Sequence, residues 1–506
     1  VGLGATWDED LVRRVAEATS IELRAFHYHR PTAIGSGTNS LQAWAPVLNL
    51  LRDPRWGRNE EGYSEDPLHT SRLGVAFCRG LTGDHPRFLR TAPVLKHFLA
   101  YNNENDRCVT SSGLRPRVLQ EYDLAAFRPV IASGAATGAM AGYNLVNGRP
   151  CHVSPLINDE LRRWTDQDVF VVSDAEAPSN LVDQERYFDD HAESHAAALK
   201  AGIDSYTDHG EDSATPIGRL REALDRGLID SDDVDRAVRR QLGVRFRLGE
   251  FDPGLDPYAT IGPDVINCAE HRALALKSAT ESVVLLRNNG LLPLDATKRI
   301  AVIGPLADTL CEDWYSGTLP YQVTVADGLA AVLGERDGEV IVADGADRVA
   351  LRSRTSGELL CKTVFDVADW GDGVLTLRSA ENGRYLSLKR DDASLAADQA
   401  QIKSWDVTET FRLVELEDSV LVQSVLTGRY AVVDPVDGRV SVTAESRDTA
   451  ERWEREVLRD GTTEALAAAL SADVAVVVLG NQPMIHGRET EDRAGIALPA
   501  SQESLL

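Results

Sequence analysis

Hydrophobic and polar residues in the first half of the chain switch repeatedly between helical and strand-like spacing. Apolar residues recur at helical intervals over Asp8–Arg24, and the apolar run at Gln42–Leu50 predicts a buried strand. The alternation continues, with further strands predicted at Arg90–His97, Ala136–Tyr143 and Asp168–Asp174 and helices at Arg117–Ser133, Ser154–Trp164 and Asp190–Ala201. Parallel strands covered by helices are therefore expected over residues 1–249, and a (β/α)8 TIM barrel is the commonest such fold at about 250 residues.

The second half predicts a smaller α/β sandwich domain that another unit interrupts. A Pro- and Gly-rich linker at residues 250–263 follows the first domain. Beyond it, a helix is predicted at Ala269–Arg287, and β-branched runs predict strands at Arg299–Gly304 and Val474–Gly480. The sandwich is accordingly assigned to residues 264–348 and 459–506.

Residues 349–458 lose the helical spacing and contain a weak internal repeat. A strand, a turn ending in Gly and a returning strand recur in three segments, which begin at Arg352, Arg378 and Gln423. Repeated hairpins of this size predict an inserted all-β unit, for which a β-trefoil is the expected fold and a generic all-β insertion the alternative. The recurring Gly-Arg-Tyr resembles fascin-like trefoil repeats.

The role of this insert stays open between sugar binding on the one hand and a spacer or dimer contact on the other, and the latter is favoured because fold does not imply function. Trp370 and Trp405 are candidate stacking platforms for sugar faces, although aromatic residues buried in a hairpin core are more usual. A homodimer is an expectation that the sequence does not decide.

Composition and charge argue against several classes of partner. The 506 residues carry 53 Lys and Arg against 79 Asp and Glu, a formal net charge of −26, so a field that attracts nucleic acid or an anionic membrane surface is missing. No apolar stretch reaches the roughly 18 residues of a membrane-spanning helix. The six cysteines are widely spaced, which leaves a zinc site or a disulfide framework unsupported.

The chain is expected to be truncated at both ends, because it begins at Val1 and its last residues read as an interrupted helix. A missing signal peptide therefore does not determine the localisation. Both cytoplasmic and secreted locations stay open, and the cytoplasm is favoured.

Polar residues close the predicted strands of the first domain, at the edge where a (β/α) barrel carries its chemistry. They are Asp174 on one strand, Lys96 and His97 on another, Tyr143 on a third, and Arg58 shortly after the strand ending at Leu50. Met140, three residues before Tyr143, is a further candidate to contact the ligand. Two cations, an imidazole and a phenol around one carboxylate would keep that carboxylate ionised and supply hydrogen bonds to a hydroxyl-rich ligand.

Four stretches of the first domain make the sequence recognisable: Arg52–Pro67, Lys96–Phe98, Gly142–Pro150 and Val171–Asp174. Together and in this order they resemble the core motifs of glycoside hydrolase family 3. Ser282–Pro293 looks like the entry into that family's second, α/β-sandwich domain. The resemblance covers nearly all of the chain outside the inserted β unit.

This resemblance implies a retaining exo-acting β-glycosidase with Asp174 as the nucleophile and a Glu of the second domain as general acid/base. Glu489 stands at the family's distance from Asp492-Arg493 and is implied as the acid/base, with Glu491 as the competing candidate. Retention needs two carboxyl groups about 5 to 5.5 Å apart, one ionised and one protonated. No metal or organic cofactor is implied.

The charges around these two residues lead to an expectation for each role. Arg58, Lys96 and His97 are expected to favour ionised Asp174. The negative charge of Asp174 is in turn expected to keep Glu489 protonated to a higher pH.

The sequence departs from the family pattern in three places. Ala175 stands where many relatives have Trp directly after the nucleophile. The family's first sugar-binding Asp would lie upstream of Val1, so that the barrel is expected to be incomplete at its N-terminal end and to lack one ligand contact. The Lys-His motif continues as Phe98-Leu-Ala-Tyr-Asn, which argues against the β-N-acetylhexosaminidase branch. The expected substrate is a β-linked oligosaccharide or an aryl or alkyl β-glycoside, with a terminal glucosyl or xylosyl residue.

Two alternatives stay open. A carbohydrate-binding relative with impaired catalysis would explain the truncated barrel, Ala175 and the β insert. A β-glycoside phosphorylase would share the pocket, and His486, near Glu489, is a candidate acid/base for it because some family members use His in that role.

Overall fold

The computed structural model describes residues 1–29, 39–334 and 338–506. They form two compact units, the first comprising residues 1–286 and 490–492 and the second residues 287–489 and 493–506. The boundary lies at Leu286 rather than in the Pro- and Gly-rich stretch at 250–263, where the chain forms the short 3-10 helices Pro253–Leu255 and Pro263–Val265.

The helix Ala269–Glu281, expected in the second domain, belongs to the first unit. Glu22 contributes to this placement, because its carboxylate accepts hydrogen bonds from the backbone N–H of Asn267 (2.8 Å) and from the imidazole of His271 (2.6 Å).

The centre of the first unit is a parallel sheet of four strands. Their spatial order is Gln42–Ala43, Ala92–Phe98, Gly138–Ala141 and Phe170–Val172. Alternate side chains face opposite layers, so that Val94 and Met140 pack in one apolar cluster and Leu95, Ala139 and Val171 in another. Gly138 lets the adjacent strand approach closely, since a Cβ there would lie 2.3 Å from the Phe170 carbonyl oxygen.

Helices cover the second of these clusters, and local capping explains where two of them begin. Asp8 precedes the helix Glu9–His29 and accepts the Leu11 N–H (3.0 Å), and Asp66 caps Pro67–Thr82 by accepting the His69 N–H (2.7 Å). The remaining α-helices of this unit before Leu286 are Gly2–Ala5, Pro116–Val118, Leu124–Ala132, Leu156–Asp159, Ala177–Asp183, His191–Ala201, Ala214–Asp225 and Ser231–Arg247.

The barrel expected from the sequence is an incomplete one, and the described residues of the first unit form a parallel sheet that does not close into a ring. The sheet has four strands, and one parallel bridge from Val172 to Ser205 extends it. The predicted strand Gln42–Leu50 pairs regularly only at Gln42–Ala43, because Pro46 has no N–H to donate to the ladder. The other three predicted strands are confirmed with narrower bounds, and the helix expected over Arg117–Ser133 is interrupted by a π-helical turn at Leu119–Asp123.

A small separate sheet and short helical turns complete the first unit. The sheet consists of Ser111–Ser112, Leu145–Val146 and Arg149–Pro150. The 3-10 helices outside the 250–263 stretch are Asn59–Glu61, Cys151–Val153 and Leu161–Trp164.

The second unit contains a parallel sheet of three strands, in the spatial order Val474–Val477, Arg299–Ile303 and Glu339–Ala343. The central strand packs alternate residues into clusters with the helices Val325–Gly334 and Gly461–Ser471. The predicted α/β layer is therefore present, and a short helix, Ala500–Glu503, follows it.

An antiparallel unit of ten strands occupies residues 347–459. Six strands close a barrel, in the ring order Asp347–Ser353, Phe365–Asp369, Leu375–Ser379, Phe411–Glu415, Val420–Ser424 and Trp453–Arg459. Each barrel strand contributes a residue to the buried core, namely Leu351, Phe365, Leu377, Phe411, Val422 and Trp453. The other four strands form two hairpins, Tyr385–Leu388 with Leu395–Gln399 and Tyr430–Val433 with Val440–Ala444.

The weak sequence repeat corresponds to three turns of the same geometry. In each, a Gly N–H donates to a Ser carbonyl at 2.9 Å, and the pairs are Gly357 with Ser353, Gly383 with Ser379 and Gly428 with Ser424. The three glycines have φ of +73°, +70° and +69°, which favours glycine at these positions. The sequence repeat is therefore also a structural repeat.

Within the described ranges, no helix combines the length and the apolar character needed to cross a bilayer.

Candidate active site

Asp174 lies two residues beyond the strand Phe170–Val172, at the carboxyl end of the parallel sheet. Its backbone N–H donates to Nε2 of His152 (3.1 Å), and its Oδ1 accepts the N–H of Ala175 (2.9 Å). Its Oδ2 lies 3.7 Å from Nε2 of His97. The Ala175 N–H thus orients the carboxylate through Oδ1, while 12% of the Asp174 side chain stays exposed.

His97 is held in one orientation by Asn49. The Asn49 amide donates to the His97 carbonyl (2.9 Å), and Asn49 Oδ1 accepts both the His97 N–H (2.7 Å) and Nδ1 (3.1 Å). This pattern places the proton of the neutral ring on Nδ1 and leaves Nε2 as an acceptor.

His97 adds no positive charge to the site at neutral pH. Burial, together with the nearby Arg58, Lys96 and Arg107 guanidinium and ammonium groups, holds the His97 pKa well below its usual value. His152 is likewise neutral, since burial lowers its pKa to about 3. Asp174 therefore has two neutral imidazoles beside it at neutral pH.

Arg58 and Lys96 both contact a carboxylate that the sequence analysis did not single out. Arg58 forms a bidentate pair with Glu61 through Nε (2.5 Å) and Nη2 (2.9 Å), and Lys96 Nζ lies 3.5 Å from Glu61 Oε2. Arg58 and Lys96 are buried. Glu61 thus balances part of the positive charge next to the site.

Met140 and Tyr143 lie in different surroundings. Met140 packs in an apolar cluster with Val94 and Phe170. Tyr143 lies beyond the end of its strand, in a cluster with Trp56 and Tyr101, and the Arg107 guanidinium stands 4.1 Å from the centre of its ring. The structure therefore places Tyr143 with polar partners and Met140 in the apolar interior.

Glu104 is a second carboxylate that the sequence analysis missed. It is 2% exposed and accepts hydrogen bonds from the Trp56 indole (2.9 Å), the Tyr101 hydroxyl (2.7 Å), Arg107 (3.1 Å) and the backbone N–H of Thr490 (3.0 Å). Burial raises the pKa of Glu104, and the guanidinium groups of Arg58 and Arg107 oppose that rise. Glu61 lies within the family stretch Arg52–Pro67, which could have drawn attention to it. Glu104 follows the strand Ala92–Phe98 in a loop, where no sequence motif marks it.

The two acid/base candidates differ in burial. Glu489 is buried in the second unit, where its Oε2 accepts the Tyr315 hydroxyl (2.5 Å), whereas Glu491 is exposed. His486 has both ring nitrogens engaged, with the Gln482 N–H donating to Nδ1 (3.0 Å) and Nε2 lying 2.5 Å from the Trp370 carbonyl.

The two candidate sugar platforms of the insert also differ. Trp370 is a core residue whose indole donates to Thr376 (2.9 Å), as expected for a buried hairpin aromatic. Trp405 is 42% exposed and packs edge-on against Trp314.

One group of side chains in the described part of the chain has the composition of a metal site. Ligand atoms of Glu176, Asp208 and His209 lie within 4.8 Å of one another. Asp208, however, already accepts hydrogen bonds from the Ser179 hydroxyl and from His195 (3.0 Å). His209 is linked to both other members, since its N–H donates to Glu176 Oε1 (2.8 Å) and its Nδ1 lies 3.0 Å from Asp208 Oδ1.

Comparison with known proteins identifies the class. The N-terminal domain of glycosyl hydrolase family 3 matches residues 1–244, and the C-terminal domain of the same family matches residues 283–506. The chain therefore belongs to glycoside hydrolase family 3.

Individual relatives are β-xylosidases and β-glucosidases. A probable exo-1,4-beta-xylosidase of Aspergillus flavus is 36% identical over 331 residues, which are 63% of this chain and 41% of the relative. A β-glucosidase of Listeria innocua, solved with glucose, is 29% identical with a TM-score of 0.58 and matches 68% of this chain and 46% of its own. The chain thus spans less than half of these two proteins.

A third relative shares the fold over the whole chain. A family 3 exo-β-xylosidase, solved with a xylobiose aziridine probe, matches 100% of this chain and 51% of its own with a TM-score of 0.71 and 21% identity.

Proposed function

We propose that the protein is a retaining, exo-acting β-glycosidase that releases a terminal β-D-xylosyl or β-D-glucosyl residue. The observation that carries this proposal is the placement of Asp174, a buried carboxylate at the carboxyl end of a parallel strand with neutral His97 beside it. Membership of family 3 supports the reaction class. The β-xylosidase and β-glucosidase relatives are the reason for proposing xylosyl and glucosyl residues.

The proposed reaction has two displacement steps. Asp174 attacks the anomeric carbon and displaces the aglycone, while Glu489 transfers its proton to the departing oxygen. Glu489 then removes a proton from water, which attacks the anomeric carbon and releases Asp174 from the glycosyl ester. The double displacement retains the β configuration.

The neighbouring side chains are proposed to bind the sugar ring. His97 offers Nε2 as an acceptor for a sugar hydroxyl, because its Nδ1 donates to Asn49. Arg58 and Lys96, both held by Glu61, supply donors to hydroxyl oxygens. Neutral hydroxyl-rich substrates match this set of donors and acceptors.

A panel of 4-nitrophenyl glycosides tests the proposal. We expect release of nitrophenol from the β-xyloside or β-glucoside, a β-configured sugar as the first product in proton NMR, and no sugar 1-phosphate when phosphate is added. An α-configured first product would contradict retention. Binding of xylobiose without any turnover would favour the impaired-catalysis alternative.

We also propose a fold class for the parallel sheet of the first unit and for the inserted antiparallel barrel. The alternation of side chains between two clusters supports assigning the four-strand parallel sheet to the (β/α) barrel class. The six-strand barrel, its two hairpins and the three equivalent turns support a β-trefoil for residues 347–459. Limited proteolysis that releases an intact fragment of about residues 347–459 would test the independence of the insert.

A further inference from the structure

Asp492 is bonded to two separate loops of the first unit. Its Oδ1 accepts the N–H of Gly57 (2.9 Å), and its Oδ2 accepts the N–H groups of Glu104 (2.8 Å) and Asn105 (3.1 Å). Its own N–H donates to Asn105 Oδ1 (3.1 Å). A carboxylate that accepts three backbone N–H groups is a strong local anchor.

Thr490 provides a second attachment of the same short segment. Its N–H donates to the buried carboxylate of Glu104 at 3.0 Å. Thr490 has φ of +79°, a conformation that is costly for a β-branched residue. The bonds made by Glu104 and Asp492 hold the segment Thr490–Asp492 in this conformation.

We propose that Asp492 is a positioning residue for the acid/base step. This inference rests on the proposed function, in which Glu489 protonates the leaving oxygen. Glu489 directly precedes Thr490, so its carbonyl carbon is bonded to the nitrogen that Glu104 holds. Fixing Thr490–Asp492 therefore fixes the peptide plane on the C-terminal side of Glu489.

Proton transfer to the leaving oxygen is sensitive to such fixation. A general acid acts only within hydrogen-bond reach of its target, and a displacement of about 1 Å can cost about 100-fold in rate. Substrates whose leaving group departs without a proton do not depend on this geometry. Asp492 should consequently matter for poor leaving groups and little for good ones.

Replacement of Asp492 by Asn tests this dependence. The amide places an NH2 group against backbone N–H donors and so breaks part of the anchor. We expect kcat/KM for the phenyl β-glycoside to fall about 100-fold and kcat/KM for the 2,4-dinitrophenyl β-glycoside of the same sugar to stay within about threefold. Glu104→Gln should show the same leaving-group dependence.

Asp66→Asn is the matched control, because Asp66 also accepts a backbone N–H in the first unit but does so as a helix cap. Its kcat/KM should be unchanged on both substrates. Equal losses on the two substrates in Asp492→Asn and Glu104→Gln, with active wild-type enzyme, would overturn the positioning role alone. Wild-type protein inactive on both substrates would overturn the proposed function and this inference with it.

Discussion

Two carboxylates of similar burial, one in each unit, have opposite kinds of surroundings. Glu451 of the six-strand barrel is 7% exposed and accepts the Ser353 hydroxyl (2.9 Å), the Thr355 N–H (3.0 Å) and the Thr355 hydroxyl (2.6 Å), all from one turn. Asp174 is 8% exposed, and its Oδ2 faces the imidazole of His97, which comes from a different strand.

This difference shows that burial of a carboxylate does not by itself define a site. Glu451 comes from a distant part of the chain, but all three of its bonds go to one turn, Ser353–Thr355, which it stabilises. A parallel sheet instead brings the ends of distant segments to one edge. Asp174, His97 and Asn49 meet there from three separate segments.

The largest expected effect is the loss of kcat when Asp174 is replaced, and the matching replacement of Glu451 serves as its comparison. Asp174→Ala should lower kcat by at least about 10⁴-fold, as removal of a nucleophile does in other enzymes. Glu451→Gln should leave kcat/KM unchanged and cost about 1 to 3 kcal/mol of unfolding free energy, because it leaves a turn donor unpaired. Steady-state kinetics and urea unfolding measure the two quantities. A comparable loss of kcat in Glu451→Gln would remove the distinction between the two regions.

The assignment of Glu489 as acid/base is tested against Glu491, an exposed carboxylate two residues further along the chain. Glu489→Ala should lower kcat/KM for a phenyl glycoside by about 10² to 10⁴-fold, and azide should restore turnover of a dinitrophenyl glycoside by forming the glycosyl azide. Glu491→Ala, the matched control, should stay near wild-type. The reverse result would reassign the role to Glu491.

Glu185, a further carboxyl group of the first unit, extends the comparison to the pH dependence of stability. One of its oxygens is buried with no hydrogen-bond partner among the described residues, and burial raises its pKa to about 8. In the unfolded chain the same carboxyl group ionises near pH 4.3. Between about pH 4.3 and pH 8 the folded protein therefore keeps a proton on Glu185 that the unfolded chain has lost, and the free energy of unfolding falls as the pH rises through this window.

Glu185→Gln removes that penalty. We expect it to raise the free energy of unfolding at pH 7 by up to about 3 kcal/mol, with no gain at about pH 4. Urea unfolding at the two pH values measures the difference. An equal effect at both values would show that the carboxyl titrates normally in the folded protein.

The smallest expected effect concerns the barrel turns. Gly383 has φ of +70°, and an added Cβ would meet nothing closer than 3.6 Å, so its replacement by Ala costs backbone strain alone. Gly383→Ala should lower the unfolding free energy by about 1 to 2 kcal/mol and leave kcat/KM unchanged. Gly218→Ala, at a helical position of the first unit with open space, is the control and should not destabilise.

The sequence predicts elements whose signals are local. The alternating segments identified the strands at Ala92–Phe98, Gly138–Ala141 and Phe170–Val172, and the Gly-containing repeat identified the three barrel turns. Apolar periodicity could not count how many strands pair, since pairing depends on residues far apart in the chain. The number of paired strands, four in the described parallel sheet of the first unit, therefore comes only from the structure.

The residues of the candidate site also differ in how far the sequence could predict them. Strand ends marked Asp174, Lys96, His97 and Tyr143, because polar residues after an apolar run are visible in sequence. The protonation state of His97 is not visible in the sequence, since burial lowers its pKa and burial is a tertiary property. Glu104 escaped notice because two of its four partners, the Trp56 indole and the Thr490 N–H, come from distant segments that meet only in the folded chain.

The central claim, that Asp174 is the nucleophile, is tested most directly by trapping the glycosyl-enzyme. A 2-deoxy-2-fluoro β-glycosyl fluoride of the sugar that the enzyme prefers should add one glycosyl group to the protein, and peptide mass spectrometry should locate it on Asp174. Asp174→Ala should take up no label. A label on another carboxylate, or turnover without any covalent adduct, would contradict the account.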